Sequence, residues 1–284
     1  MKFLGDNMNT QKRIVAIHDI SCFGRCSLTV ALPIISAFGI ETSIIPTAVL
    51  STHTGGFSDF TYRDLTDDIL PIVNHWKSLG LNFDAIYTGF LGSFEQIDII
   101  DQVFELLKTP QTLIIVDPVM ADNGELYKIF PKDFPKGMKK LCQKADILIP
   151  NLTEAALLLD EPYKPGPYTK EYIEDMLKKL SLLGCKKVVL TGVFFDDLSL
   201  GAAAYDAQTN QTSYAFAPKI KGYYHGTGDV FGSALTASII NGKTLAQAIK
   251  TAVEFTSKSI ERTYNAKTDI RYGVNFEEGL QDLE

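Results

Sequence analysis

Short runs of apolar and β-branched residues alternate along the chain with longer segments in which apolar positions recur at helical spacing. The runs Arg13–His18, Glu41–Pro46, Phe83–Thr88, Thr112–Val116, Asp146–Ile149 and Lys187–Leu190 are too short for helices and predict strands. Between them, the spacing predicts helices over Ser27–Phe38, Leu65–Leu79, Phe94–Leu107, Lys136–Lys144, Asn151–Leu159 and Tyr172–Leu183. Gly39 and Gly80 stand where the first two should stop. Ala202–Tyr205 and Thr212–Phe216 predict a hairpin extending one sheet edge, and Val230–Asn241 and Leu245–Tyr264 predict two closing helices. Runs such as LIIV and VVL lack polar alternation, as strands buried on both faces do. This order predicts an α/β fold with a mostly parallel sheet covered on both faces. No linker-like shift in composition divides the chain, so a single domain is expected over residues 13–284, behind an N-terminal tail at 1–12. In such sheets ligands bind beyond the carboxyl ends of the strands.

Composition narrows the function. The 284 residues are 45% hydrophobic and 21% charged, which suits a buried core and not a disordered chain. With 34 acidic and 27 basic side chains the net charge is −7, which argues against a nucleic-acid partner, since that needs clustered cations. Four cysteines form no CxxC pair, and four scattered histidines complete no zinc pattern. No stretch resembles a signal peptide or reaches the roughly 18 apolar residues of a membrane span. A cytoplasmic protein with no membrane partner is the expectation.

The strongest local signal is His225-Gly226-Thr227-Gly228-Asp229, running directly into VFGSALTASII. A glycine-rich turn entering a helix exposes backbone N–H groups with the positive end of the helix dipole behind them, an arrangement that holds phosphates. Asp229 then sits in the first helical turn, either as a plain cap or as an acid beside an anion site. Two glycines in front favour the second reading, because a cap does not need them. Asn241-Gly242-Lys243-Thr244 imitates the end of a P-loop but lacks its first glycine, so it reads as a helix stop. No dinucleotide fingerprint follows the first strand.

Asp117 ends a strand of apolar character, and Asp122 follows five residues on; the pair suits Mg²⁺ held directly or through water. Asp122-Asn123-Gly124 is equally plain turn chemistry. Asn151 and Glu154 have capping-box spacing, which by itself explains both. His53, in the polar loop after the second strand, reads as an exposed loop histidine.

Together these pieces resemble the ribokinase-like small-molecule kinases, and more narrowly the pyridoxal (vitamin B6) kinases. The resemblance runs from Ile14 to about Arg262 and is carried by VDPVM at Val116–Met120, PNLTE at Pro150–Glu154, VVLTG at Val188–Gly192 and GTGD at Gly226–Asp229. THTGG at Thr52–Gly56 and GFLGS at Gly89–Ser93 are similar to the B6 branch. The resemblance implies a three-layer α/β/α sandwich and ATP-dependent phosphorylation of the hydroxymethyl group of pyridoxal, pyridoxamine or pyridoxine. It implies Asp229 as general base and the amides of Gly226, Thr227 and Gly228 as an anion hole. Asp117 and Glu154 would hold Mg²⁺ and the ATP phosphates through water, with Asn151 and Thr191 nearby, and Asp122 matches a further acidic position. His53 and Thr54 match the substrate-side loop. Asp19, after the first strand, replaces a serine common in B6 kinases, and Phe90 replaces a tyrosine; both bear on the choice of vitamer. ATP and Mg²⁺ are the implied cofactors, with a monovalent cation such as K⁺ allowed. A homodimer and a mobile flap over Gly55–Arg63 are implied too. A hydroxymethylpyrimidine kinase of thiamine synthesis is the nearest alternative. A non-catalytic B6-binding protein is a further one, against which the retained Asp229 argues.

Overall fold

The structure, a computed structural model, describes residues 11–283, so most of the expected tail lies outside the described residues. In chain order the strands are β1 (Arg13–Ser21), β2 (Glu41–Leu50), β3 (Tyr62–Asp64), β4 (Ala85–Thr88), β5 (Leu113–Val116), β6 (Ala121–Asp122), β7 (Glu125–Leu126), β8 (Ile147–Leu148), β9 (Lys187–Val193), β10 (Ser199–Asp206) and β11 (Gln211–Pro218). The helices are α1 (Leu28–Ala37), α2 (Thr66–Ser78), α3 (Phe94–Leu107), α4 (Phe134–Cys142), α5 (Leu152–Leu159), α6 (Lys170–Ser181), α7 (Thr227–Ile240) and α8 (Leu245–Ala266). Nine strands form one sheet in the order β11-β10-β9-β8-β5-β4-β1-β2-β3, parallel from β9 to β2 and antiparallel at both edges.

Alternation along each central strand divides the apolar side chains between two layers. Val15, Ile17, Ile86, Ile114, Val116 and Leu190 face α2 to α6, whereas Ile14, Ala85, Ile115, Ile147 and Val189 face α1, α7 and α8. Both faces of these strands are therefore apolar, the physical cause of the unalternating runs, and the result is the three-layer sandwich. Among the described residues no helix is long and apolar enough to cross a membrane.

Several boundaries differ from expectation. β1 continues to Ser21, so Asp19 lies within the strand rather than after it. The register with β2 shifts between His18 and Ile20, and this irregularity hides the continuation from a pattern reading. β2 runs on through Pro46 to Leu50; β3 joins it only from Ala48, so the missing Pro46 N–H interrupts no pairing with that edge strand. The end of the expected flap, Tyr62 and Arg63, belongs to β3. The sheet order reverses beside β1, with β2 on one side and β4 on the other, and this switch point locates the site.

Candidate active site

Asp19, Asp117, Asn151 and Thr191 all stand at or just beyond the carboxyl ends of parallel strands β1, β5, β8 and β9. The N-terminus of α7 approaches the same rim. Gly226 precedes the helix in the left-handed conformation, at φ 74°, and a Cβ there would lie 2.0 Å from the Arg25 carbonyl oxygen. Glycine is required on both counts. Gly228, in contrast, has open space where its side chain would be. The first amides of a helix have no intrahelical partner, so this end presents free N–H groups to an unobstructed approach.

Asp229 lies in that first turn, half-buried. Burial raises its carboxyl to about 7, the facing Ser27 backbone pulls it down, and the Asp19 charge pushes it up again. Ser27 holds φ 55° and ψ −130°, an unusual conformation for a residue with a side chain. Its hydroxyl donates to Asp19 Oδ1 at 2.5 Å while its backbone faces Asp229. No sequence motif marked Ser27; only folding brings it between the two acids.

Asp117 is buried, and its carboxyl is pushed well up by burial, then by the charges of Glu154 and Asp229. Its Oδ2 lies 3.6 Å from where Gly232 of α7 would carry a Cβ, and the hydroxyl of the buried Tyr87 lies 2.3 Å from the same point. Tyr87 is a second residue that the motifs did not reveal. Glu154 is also buried, and burial raises its carboxyl. Its two oxygens accept from the amides of Met120 at 3.2 Å and Asn151 at 2.9 Å. Asp117, Glu154 and Asp229 thus gather without a lysine or arginine among the groups that shift them, a donor set that calls for a cation. Among the described residues no three acidic, histidine or cysteine side chains converge as a ready cage. Mg²⁺ needs no such cage, since it keeps several waters and is held by one or two carboxylates together with substrate phosphates.

Asn151 serves the backbone. Its Oδ1 accepts from the amides of Thr153 and Glu154 at 2.8 and 2.9 Å, and its Nδ2 donates to the Ala121 carbonyl at 2.8 Å. The capping box is complete, so Asn151 starts α5 and fastens the β6–β7 turn to it. Asn151→Ala should lower stability by about 0.5–2 kcal/mol in chemical denaturation, the usual range for a lost cap. The Asn151 backbone bridges to Thr191, whose amide donates to the Pro150 carbonyl at 3.0 Å. Asp122 sits at the mouth of the Asn123-Gly124 turn, where its Oδ1 accepts from the Asn123 amide at 2.8 Å. Its Oδ2 accepts from Tyr223 Oη at 2.6 Å, which ties the approach to α7 to this turn.

His53 is buried, against the expectation of an exposed loop residue. Its Nδ1 accepts from the Gly55 amide at 3.1 Å, so Nε2 carries the proton and donates to the Arg271 carbonyl at 2.6 Å. Both ring nitrogens therefore organise backbone, and the ring packs 5.3 Å from His225. Thr54 and Phe90 line a cavity of about 370 Å³ together with Phe60, Tyr62 and Asp64.

The phosphomethylpyrimidine kinase family model matches residues 33–273. A Bacteroides thetaiotaomicron protein, provisionally assigned as a phosphomethylpyrimidine kinase and crystallised with pyridoxal, is 41% identical, with 96% of each chain covered and a TM-score of 0.92. The pyridoxal kinase of Lactobacillus plantarum is 32% identical over 96% of each chain, with a TM-score of 0.87. Among curated proteins, the pyridoxal kinase of Dictyostelium discoideum is 27% identical over 279 residues, covering 92% of this chain and 89% of its own.

Proposed function

The chain belongs to the phosphomethylpyrimidine kinase family of ribokinase-like kinases, and on that premise we propose that it phosphorylates the hydroxymethyl group of a B6 vitamer at the expense of ATP. One observation carries this reading. An acid whose carboxyl is raised to about 7 sits in the first turn of a helix whose amino end is open where Gly228 would carry a side chain.

Asp229 takes the proton from the substrate hydroxyl as the substrate oxygen bonds to the terminal phosphorus of ATP and the bond to the bridging oxygen breaks, releasing ADP. A base near neutral pKa suits that role, because a large fraction is ionised near neutral pH and each ionised group is strong enough to accept. The amides at Gly226, Thr227 and Gly228 receive the charge carried by the transferring phosphoryl oxygens, and their fixed direction costs no reorganisation. Asp117 and Glu154 would hold Mg²⁺ and the ATP phosphates through water, and the ion would supply neutralisation of the phosphate charge. Asn151 and Thr191 brace the strand ends from which these groups project. Thr54 and Phe90 bound the space for the heterocycle, and His53 shapes that boundary through the backbone it holds.

Purified protein with MgATP should release ADP on addition of pyridoxal, pyridoxamine or pyridoxine, followed by a coupled assay. The family model is named for phosphomethylpyrimidine kinases, so hydroxymethylpyrimidine belongs in the same panel. Turnover of that pyrimidine alone assigns the enzyme to thiamine synthesis, and no ADP with any heterocycle sinks the phosphotransfer reading.

A further inference from the structure

Tyr87 is wholly buried, and among the described residues its hydroxyl has no hydrogen-bond partner. Phenylalanine would fill the same space without the cost of taking a hydroxyl out of water. Buried tyrosines as a rule find a partner for that group, so what the hydroxyl faces matters.

The sheet register brings it beside a metal-holding acid. Tyr87 of β4 pairs with Ala16 of β1 and Ile115 of β5. Alternation puts Asp117, two residues beyond Ile115, on the face that Tyr87 and Ile115 share. The Asp117 amide donates to the Thr88 carbonyl at 3.0 Å, so the pairing of β4 with β5 extends to this acid. Gly232 of α7 lies over both. A Cβ there would collide with Tyr87 Oη and stand 3.6 Å from Asp117 Oδ2, so hydroxyl and carboxylate border one point beneath the start of α7. The Tyr87 ring is held from β1 by His18, which packs against it at 4.6 Å between centroids in a T-shaped contact. Burial lowers the His18 imidazole to about 3, so it stays neutral and brings no counter-charge.

The chemistry suits a donor. Burial raises the phenol well above its usual value, and the charges of Asp117 and then Asp229 raise it further, so the hydroxyl keeps its proton. An ionised carboxylate only accepts. Ser233 also acts on the phenol, and its own hydroxyl is buried without a partner among the described residues. A serine proton directed at the phenol oxygen leaves the phenol proton for the acid. Carboxylates that hold metal ions are themselves hydrogen-bonded from behind, which fixes their direction.

We infer that Tyr87 is a positioning residue for the metal site: its hydroxyl, backed by Ser233 Oγ, donates to Asp117 Oδ2 and fixes the carboxylate that holds Mg²⁺ through water. The inference rests on the phosphotransfer reading for its metal ion.

Tyr87→Phe removes only the hydroxyl and keeps the ring against His18 and Gly232. Mn²⁺, followed by its electron paramagnetic resonance signal, is titrated into both proteins with a non-hydrolysable ATP analogue present. Mn²⁺ affinity should fall by about 10- to 100-fold, the usual cost of losing a partner behind a metal-holding group. The Mg²⁺ concentration that gives half-maximal rate should rise by a similar factor, while KM for the vitamer at saturating Mg²⁺ stays unchanged. Melting of the metal-free variant should occur no lower than that of the unaltered protein. Equal Mn²⁺ affinity in the two proteins overturns the inference and leaves Tyr87 as core packing. Weakening that extends to metal-free ADP and to the vitamer overturns it too, because it marks a general loosening of the site. Failure of the unaltered enzyme to turn over any heterocycle would refute the kinase reading, and the Mn²⁺ comparison would still test Tyr87.

Discussion

Asp229→Asn should lower kcat by about 10²- to 10⁴-fold, the span that positioned general bases contribute, while vitamer and nucleotide still bind. The amide keeps the size of the side chain and cannot accept the proton. In the unaltered enzyme kcat/KM should rise with pH through about 7 and then level off, because below that value the carboxyl is protonated and has no base to offer. Stability should run the other way. Burial raises the folded-state value from 3.8 to about 7, so the contribution of this group is fully present below the unfolded value and is lost as pH rises through the folded one. The Asn variant should lose both the activity limb and this share of the stability decline. A variant whose pH–rate profile keeps the limb would assign the proton transfer to another group.

Gly228→Ala should separate folding from catalysis. The methyl meets no protein atom within 4 Å, and alanine in place of helical glycine stabilises by about 0.5–1 kcal/mol. Tm should therefore rise slightly. The same methyl occupies the approach to the helix amides, so kcat should fall by about 10²- to 10³-fold, as when an oxyanion donor is removed. Gly226→Ala should lose both properties, since its Cβ would collide with the Arg25 carbonyl and alanine resists φ 74°. Melting curves beside single-turnover rates distinguish the two variants. Full activity in Gly228→Ala would show that the transferring phosphoryl group does not use this end of α7.

The glycine turn into α7 was readable because its motif is local. GTGD at Gly226–Asp229 announces a glycine turn entering a helix, and the structure has Gly226 left-handed with α7 beginning at Thr227. Phe94–Leu107 was readable to the residue, since Ser93 caps it by accepting from the Gln96 amide at 3.1 Å. The β6–β7 hairpin was readable only as a turn. Asn123-Gly124 is marked chemistry, but strands of two residues carry no periodicity. Asp122 was open between metal and turn; its carboxylate is bound to the Asn123 amide and Tyr223, and the second partner is far along the chain.

By itself the sequence determined the layering and the places where the chain turns. Those follow from the period of apolar residues and from caps and glycines that act within four positions of themselves. Only the tertiary structure decided what each polar side chain faces. His53 is an unremarkable loop residue until Arg271, 218 positions away, accepts its proton-bearing nitrogen. Asp19 and Asp229 are unrelated acids until Ser27 stands between them. The reason is physical: burial and charge proximity set the pKa and the role of an acid, and both arise from neighbours that the parallel strands bring together from distant segments of the chain.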